Sequence, residues 1–314
     1  MMEETMIRVE RLRKEFDGLV AVDGVSFTVE AGEIFGLLGP NGAGKTTTLN
    51  MICGVLKPGD GRVLIDGEDV WAKPKEVKRK LGVVPQEIAV YDDLTARDNL
   101  RFWGSLHGLR GAELKARIDE ALSRVGLAER GDDKPKTFSG GMKRRLNLCM
   151  GLLHRPRVLL LDEPTVGIDP QARLNVLEVV REIAAAGTTV LYTTHYMDEA
   201  EELCDRLAII DHGKILTLGT LDQLRRLAGE GEVLRLSGSF DQAAASRHLA
   251  PIDGVKLLHV GDGDAVLALD PAGPGLTAVL PRLLDGDLAV ADVSVQRPSL
   301  QNVFIRLTGR ELRD

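Results

Sequence analysis

The stretch Leu-Leu-Gly-Pro-Asn-Gly-Ala-Gly-Lys-Thr-Thr-Thr-Leu at residues 37–49 has the composition of a phosphate-binding loop. Gly39, four further residues and then Gly44-Lys45-Thr46 fit the pattern G-x-x-x-x-G-K-[ST]. Glycines let the backbone curl around a polyphosphate, because no Cβ blocks positive φ angles. Backbone N–H groups and the next helix N-terminus would attract the anion, the Lys45 ammonium would add a full charge, and the Thr46 hydroxyl would bind Mg²⁺.

The alternative for this segment is a glycine-rich turn that opens an ordinary helix. The apolar run before the loop reads as a buried strand, and the residues after it read as a helix. This strand–loop–helix context favours a P-loop. Kinases, GTPases and motor proteins also carry such a loop, so it indicates the ligand and not the protein.

Two adjacent carboxylates, Asp162 and Glu163, follow the apolar run at residues 158–161. Asp162 is placed to hold Mg²⁺ directly or through water, and Glu163 to orient or deprotonate an attacking water. Such a pair at a buried strand end would be costly without a cation nearby. The alternative is an acidic turn after a core strand, but the preceding P-loop favours a magnesium site.

Further polar residues lie at the ends of predicted elements. Ser139 with Gly140-Gly141 comes immediately before a helical stretch, where Ser139 would cap the helix and the helix dipole would favour an anion. A plain Ser-Gly-Gly N-cap would look the same. Gln86 ends Leu-Gly-Val-Val-Pro-Gln and His195 ends Val-Leu-Tyr-Thr-Thr-His. Either alone is an ordinary polar residue at a strand end, whereas both in this order indicate a shared site.

The elements that must position these residues are predicted from apolar runs. Five continuous runs after residue 33 predict parallel strands of a sheet covered on both faces, in an α/β domain. Open sheets of this kind bind ligands at the C-terminal ends of their strands. Residues 7–30 alternate apolar and polar, with turn signals at Asp17-Gly18 and Asp23-Gly24, and predict antiparallel strands. Residues 87–157 have mostly helical spacing and predict a helical subdomain.

A second domain is predicted over residues 230–314, after a first domain at 1–225. A helix at 221–229 and the linker Gly-Glu-Gly-Glu at 229–232 precede it. Its order of strand, helix, two strands, helix and strand predicts a small ferredoxin-like α+β module. A last helix is predicted within residues 299–312, with Leu300, Val303, Phe304 and Leu307 on one apolar face.

Composition excludes several classes of protein. The 314 residues are enough for two domains, and 28% charged with 44% hydrophobic residues is the balance of a soluble globular protein. The longest stretch without Asp, Glu, Lys or Arg, residues 183–197, is shorter than the roughly 20 residues of a membrane span. The N-terminus has no apolar segment typical of a signal peptide. A net charge of −7 argues against a nucleic-acid partner, and three well-separated cysteines predict reduced core thiols in the cytosol.

In combination and in order, these motifs resemble the ATP-binding subunit of ABC transporters over residues 7 to about 220. The motifs that match are Walker A at 39–47, the Q-loop at Gln86, the signature at 138–142, Walker B at 158–162 followed by Glu163, the D-loop at 167–169 and the switch His195. The signature here reads Phe-Ser-Gly-Gly-Met, where the family usually has Leu-Ser-Gly-Gly-Gln. Because Ser139 and both glycines are kept, Met142 leaves in doubt only the polar contacts of that last side chain.

The resemblance implies a P-loop NTPase of the ABC type, with antiparallel β and helical subdomains, that binds ATP and Mg²⁺. It implies catalytic roles for Glu163, His195 and Gln86, and magnesium contacts from Thr46, Gln86 and Asp162. Phe16 would stack on the adenine. The remaining implied ATP contacts are Gly39, Pro40, Asn41, Gly42, Ala43, Gly44, Lys45, Thr46, Thr47, Ser139, Gly140, Gly141 and Asp169.

The resemblance also implies partners. Two copies would pair head to tail, with each ATP between Lys45 of one chain and Ser139 to Gly141 of the other. Residues 87–103 would meet a separate membrane subunit, which would hold the otherwise cytoplasmic protein on the inner face of the membrane. The tail at 293–312 is similar to the daunorubicin-resistance type of ATP-binding subunit, which serves ABC-2 exporters of drug-like or other hydrophobic substrates. Export of a lipid, a polysaccharide or an ion remains the alternative.

Rival classes lack their own signals. An ABC protein of DNA repair needs a long coiled coil within the cassette, but Ser139 follows Lys45 by only 94 positions (139 − 45). A translation-factor type usually carries two cassettes, and one is present here. A P-loop GTPase needs the guanine-reading pattern Asn-Lys-x-Asp, which is absent from the sequence.

Overall fold

The computed structural model describes residues 4–227, 232–270, 273, 275–284, 288–296 and 299–308. The chain divides into two compact units, one ending at Leu218 and the other beginning at Gly219. The helix predicted from residue 221, which the expected first domain at 1–225 included in part, therefore groups with the second unit. Each unit has its own apolar core.

The first unit contains ten strands and seven α-helices among its described residues. In chain order these are β1 Thr5–Phe16, β2 Leu19–Glu30, β3 Ile34–Leu38, α1 Lys45–Ile52, β4 Asp60–Ile65, β5 Glu68–Asp69, α2 Pro74–Lys80, β6 Leu81–Val84, α3 Ala96–Leu106, α4 Gly111–Arg124, α5 Gly140–Leu152, β7 Val158–Asp162, α6 Pro170–Ala185, β8 Thr189–Thr194, α7 Met197–Leu203, β9 Arg206–Asp211 and β10 Lys214–Thr220. The last two residues of β10 fall beyond the unit boundary.

The central sheet has the strand order β10-β9-β3-β8-β7-β6. Strand β3 pairs in parallel with β8 and β9, and β7 pairs in parallel with β8 and β6. Every residue of β3, β7 and β8 is buried, as continuous apolar runs require when helices cover both faces. The predicted parallel sheet is confirmed. Its register places Leu38 opposite Thr194 and Asp162 opposite Thr193, so the loops that follow these strands meet at one edge.

A second, antiparallel sheet has the order β2-β1-β4-β5. The turn at Asp17-Gly18 connects β1 and β2, as predicted. The turn predicted at Asp23-Gly24 is wrong, because these residues lie inside β2. The pairing shifts there from Leu12 opposite Val25 to Arg13 opposite Asp23, and Gly24 has a φ of 72°. The Asp-Gly pair forms an irregularity in the strand, which a glycine accommodates.

The helical subdomain consists of α3, α4 and α5, which contact one another. The predicted spacing in α4 is confirmed, since Leu114, Ile118 and Leu122 are buried on one face. Helix α5 also contacts β6 and α6, so it connects the subdomain to the central sheet. The residues that precede α5 and α6, Ser139 and Asp169, are therefore held by the same packing.

The second unit contains α8 Leu221–Leu227, β11 Val233–Ser239, α9 Gln242–Leu249, β12 Val255–Val260, β13 Asp264–Leu269, α10 Leu276–Leu284, β14 Ala289–Gln296 and α11 Leu300–Thr308. The sheet order β12-β13-β11-β14, with all three pairings antiparallel, is that of a ferredoxin-like module and confirms the prediction. The predicted linker at 229–232 lies outside the described residues except for Glu232, as does the predicted end of the last helix beyond residue 308.

The last helix buries three of the four residues of its predicted apolar face. Leu300, Val303 and Phe304 are at most 1% exposed, whereas Leu307 is 41% exposed. Helix α11 contacts α8, and its buried residues are separate from the core cluster of the ferredoxin-like sheet. The two helices that flank the module in sequence therefore pack on each other.

Candidate functional site

The P-loop connects β3 to α1 in a tight curve. Gly44 caps α1 with a φ of 103°, and Gly42 has a φ of 80°, so both positions favour glycine. A Cβ at Gly39 would lie 2.2 Å from the carbonyl oxygen of Ile210 on the neighbouring strand β9. The first glycine of the motif is therefore required by close backbone approach, and the others by backbone conformation.

The remaining predicted loop residues differ in their exposure. Asn41 is exposed at the tip, Thr47 is half-buried, and Ala43 is buried. The Ala43 N–H donates to the Pro40 carbonyl at 3.1 Å, and the Ala43 carbonyl accepts from the Gly213 N–H at 3.0 Å. These bonds fix both sides of the loop.

The Lys45 ammonium is enclosed by oxygen atoms. Its Nζ donates to the carbonyls of Gly39 at 2.7 Å and Pro40 at 3.0 Å, and lies 2.8 Å from Oε1 of Glu163. The Lys45 and Glu163 side chains are 4% and 5% exposed. A buried charge of this kind is stable only when paired and hydrogen-bonded, which both groups are.

Thr46 and Asp162 form the second contact between the P-loop and β7. The Thr46 hydroxyl donates to Oδ1 of Asp162 at 3.2 Å, and the Thr193 hydroxyl donates to the same oxygen at 2.7 Å. Burial raises the pKa of Asp162, and these hydroxyl bonds oppose that rise. A carboxylate next to a hydroxyl is an oxygen donor set that suits Mg²⁺, which takes one or two protein ligands beside phosphate oxygens.

Glu163 lies between the P-loop lysine and the switch histidine. Its Oε1 contacts Lys45, and its Oε2 lies 3.1 Å from Nδ1 of His195. The backbone of Glu163 has a φ of 44°, and its N–H is held by Thr193. A non-glycine residue with positive φ costs about 1–3 kcal/mol and is typical of functional sites. The structure brings Lys45, Glu163 and His195 together at the edge of the sheet.

Ser139 and Asp169 each cap a helix. The Ser139 hydroxyl accepts from the Met142 N–H at 3.3 Å, and the Asp169 carboxylate accepts from the Ala172 N–H at 2.9 Å. A Cβ at Gly141 would lie 2.5 Å from the Ala172 Cβ, so Gly141 allows α5 to approach α6. Ser139, Gly140 and Asp169 are exposed, and within the described part of the chain no hydrogen bond joins Ser139 to the P-loop.

Among the described residues, no hydrogen bond joins Gln86 or Phe16 directly to the cluster of Lys45, Glu163 and His195. Gln86 is exposed after β6, and its carbonyl accepts from Nη1 of Arg144 at 2.8 Å. No hydrogen bond between described residues links the Gln86 side chain to the acidic pair. Phe16 ends β1 with 43% of its surface exposed, and Nζ of Lys14 lies 5.3 Å from its ring centroid.

A buried carboxylate behind the site was missed by the sequence analysis. Glu199, in α7, is 1% exposed and accepts hydroxyl bonds from Thr165 at 2.6 Å, Tyr192 at 2.9 Å and Thr194 at 2.8 Å. Arg173 of α6 lies 3.3 Å from Oε1 of Glu199. An acidic residue in the first turn of a helix normally faces solvent to complement the dipole, so the sequence carries no signal for this inward orientation.

The three cysteines are free and buried, as predicted. Burial raises the pKa of the Cys149 thiol to about 12, which makes it unreactive. Among the described residues, no cluster of three or more His, Cys, Asp or Glu side chains is arranged to hold a metal ion. Within the described residues, no helix is both long enough and apolar enough to cross a bilayer.

Comparison with known proteins identifies the family. The family profile described as "ABC transporter" matches residues 22–166. The chain is 42% identical over 312 residues to the linearmycin resistance ATP-binding protein LnrL of Bacillus subtilis (strain 168), covering 98% of this chain and 100% of that protein. It therefore belongs to the ATP-binding subunits of ABC transporters, which are ATPases that power transport and work with separate membrane subunits.

Two further relatives have similar coverage. The daunorubicin/doxorubicin resistance ATP-binding protein DrrA of Streptomyces peucetius is 40% identical, over 98% of this chain and 94% of that protein. The Nod factor export ATP-binding protein I of Ralstonia nicotianae (strain ATCC BAA-1114 / GMI1000) is 39% identical, over 98% of this chain and 95% of that protein. A solved ATP-binding subunit of an ABC transporter has 33% identity and a TM-score of 0.64, over 71% of this chain and 92% of that one.

Proposed function

We propose that this chain is the Mg²⁺-dependent ATPase of an ABC-2 exporter that moves drug-like or other hydrophobic compounds outward. The contact of Glu163 with both Lys45 and His195 carries the catalytic part of this proposal. The names of the two resistance proteins similar along nearly the whole chain support the substrate class. The Nod factor export relative supports the second candidate, export of a cargo such as a lipid or a polysaccharide rather than a drug, because it is named for export and not for drug resistance.

Each site residue has a role that follows from its position. Lys45 and the P-loop N–H groups bind the phosphates, while Thr46 and Asp162 hold Mg²⁺, which neutralises phosphate charge. Glu163 accepts a proton from the attacking water or orients it, and His195 fixes the Glu163 carboxylate through Oε2. Gln86 contacts Mg²⁺ and the attacking water, and Phe16 stacks on the adenine.

The proposed dimer uses surfaces that the single chain leaves open. The N-terminus of α5 is exposed at Ser139 and Gly140, and a Cβ at Gly140 would have no neighbour closer than 3.9 Å. Free N–H groups and the helix dipole at this end suit the γ-phosphate of an ATP held by a second copy. Asp169 at the start of α6 is exposed beside it. Pairing therefore requires nucleotide, and hydrolysis weakens it.

The proposed docking site for the permease is the apolar surface that follows Gln86. Tyr91 and Phe102 are 49% and 42% exposed, and their rings pack edge to face with centroids 5.5 Å apart. The adjacent cavity of about 300 Å³ is lined by residues that include Val83, Trp103 and Met150. The buried Trp103 Nε1 has no hydrogen-bond partner among the described residues. An apolar segment of the permease would fit this cavity.

The division of labour between the domains is also a proposal. All of the proposed nucleotide contacts precede residue 196, so the domain at 1–225 performs the chemistry and the module at 230–314 serves assembly or regulation. Two truncations test this, because α8 packs against α11. Chains stopped near residue 229 and after Leu218 should both bind ATP, whereas ATP-driven dimerisation should weaken. Loss of ATP affinity in a folded truncation would contradict it.

The transport proposal is tested in cells that contain the chain and its permease. Resistance to a panel of hydrophobic antibiotics should require both subunits and should disappear with Glu163→Gln. Tyr91→Ala with Phe102→Ala should abolish co-purification of the permease, while Leu216→Ala, a change at an exposed leucine of β10, should not. Export of a labelled lipo-oligosaccharide without any antibiotic resistance would support the second candidate.

A further inference from the structure

Arg144 is a buried arginine that bonds three backbone carbonyls from two separate segments. It lies in α5, five positions after the cap Ser139, and is 3% exposed. Its Nη1 donates to the carbonyls of Pro85 at 3.3 Å and Gln86 at 2.8 Å. Its Nη2 donates to the carbonyl of Val166 at 3.3 Å. One side chain thus joins the signature helix, the Q-loop and the turn before the D-loop.

This guanidinium has no carboxylate partner among the described residues. Its hydrogen bonds to Pro85, Gln86 and Val166 all go to carbonyl oxygens, and its Nε is buried without a partner among the described residues. Burial lowers the pKa of Arg144, but a guanidinium stays protonated in proteins. Hydrogen bonds from a charged donor are about twice as strong as neutral ones. The carbonyls are therefore held by ion–dipole attraction that a neutral side chain cannot reproduce.

A second residue of α5 holds the same segment. Asn147, one turn after Arg144, accepts from the Ala89 N–H at 3.2 Å and donates to the Pro85 carbonyl at 3.4 Å. Arg144 and Asn147 together therefore bond α5 to the segment at Pro85, Gln86 and Ala89.

The bond of Arg144 to Val166 connects α5 to the acidic pair Asp162-Glu163. The Val166 N–H donates to the Glu163 carbonyl at 3.3 Å, so the turn that Arg144 holds begins at Glu163. Three residues after Val166, Asp169 caps α6. A displacement of Arg144 would thus shift Glu163 and Asp169 at one end and Gln86 at the other.

We propose that Arg144 is a positioning residue for ATP hydrolysis, which holds Gln86, Asp169 and the α5 N-terminus at fixed mutual positions. When the exposed N-terminus of α5 binds the nucleotide of a second copy, the hydrogen bonds of Arg144 carry the resulting shift of α5 to Glu163 and Gln86. In this role Arg144 acts through the backbone segments that it bonds. The inference rests on the proposed roles of Glu163 and Gln86, of which Glu163→Gln tests the first separately.

The experiment compares variants of the full-length chain. Arg144→Met keeps the length and removes all donors, while Arg144→Lys keeps the charge and three donors. We expect Arg144→Met to lower kcat by about tenfold and to weaken ATP-driven dimerisation, with the affinity of the single chain for ATP within about twofold of wild type. Arg144→Lys should recover most of kcat.

Arg145→Met is the matched control. Arg145 lies on the same helix and donates to the Val125 carbonyl at 2.7 Å, inside the helical subdomain. The Arg145→Met variant should lose about as much thermal stability as Arg144→Met, while its kcat stays within about twofold of wild type. The proposal is overturned if Arg144→Met retains wild-type kcat, if its kcat falls only in proportion to the folded fraction, or if Arg145→Met lowers kcat equally.

Discussion

The replacement of Glu163 by Gln tests the central contact of the site. The change keeps the side-chain volume and removes the negative charge that accepts a proton from water. We expect kcat to fall by roughly 10²–10⁴, the range for loss of a general base. At about 1.36 kcal/mol for each tenfold change, this is an increase of ~2.7–5.4 kcal/mol in the activation free energy.

The contacts of Glu163 indicate what the same change does to binding. Lys45 keeps its bonds to the Gly39 and Pro40 carbonyls, at 2.7 and 3.0 Å, when the carboxylate is removed. Its ammonium then has no carboxylate within 2.8 Å that competes with the phosphates for it. The affinity for ATP should therefore persist or rise, and ATP-bound dimers should accumulate because they are not hydrolysed. Removing one member of a buried pair costs up to about 3–5 kcal/mol of stability, so folding must be checked.

The assay is phosphate release from Mg²⁺-ATP, with ATP affinity, dimer fraction and thermal midpoint measured on the same preparation. Glu178→Gln is the control, because Glu178 is exposed on α6 and the change also removes one carboxylate. It should leave all four quantities unchanged. Turnover at the wild-type rate by Glu163→Gln would refute the assignment of Glu163.

Three further predictions concern other residues and the surface. His195→Ala should lower kcat by roughly 10² while ATP affinity changes less, and failure to bind ATP or to fold would make His195 structural. Burial lowers the pKa of His154 to about 4, so the unfolded chain takes up the proton first as the pH falls below about 6.5. The unfolding free energy should then drop between pH 6.5 and 4, and less steeply in His154→Gln; equal pH profiles would contradict this. Without its permease, the chain should not partition into anionic vesicles in a sedimentation assay, since its net charge is −7; stable partition would count against a peripheral subunit.

Most of the fold follows from patterns that depend on burial alone. Strands β3, β7 and β8 were predictable because continuous apolar runs have few alternatives in a sheet covered on both faces. The ferredoxin-like module was predictable from element order. The irregularity at Asp23-Gly24 was wrongly predicted as a turn, since the long pairing of β2 with β1 overrides the local Asp-Gly signal. Whether an Asp-Gly pair forms a turn or lies inside a strand depends on strand pairing, which a single sequence does not show.

The residues of the site also fall into two groups, those that a sequence motif identifies and those that only tertiary packing reveals. The P-loop and the acidic pair have a spacing that the chemistry requires, so their residue types identify them. Arg144 and Glu199 belong to no such motif: Arg144 bonds Val166 and Glu199 bonds Thr165, and both partners are distant in sequence. An arginine or glutamate on a helix is normally solvated, and only the packed structure reveals that these two are buried.

Thr194 connects the front of the site to the buried carboxylate behind it. Its carbonyl accepts from the Gly39 N–H at 3.2 Å, and its hydroxyl donates to Glu199 at 2.8 Å. The same hydroxyl accepts from the Tyr196 N–H at 2.9 Å, so both neighbours of His195 in sequence are fixed. A carboxylate as buried as Glu199 is tolerated because three hydroxyls and a nearby guanidinium satisfy it. We therefore expect the position of His195 against Glu163 to depend on the polar network around Glu199.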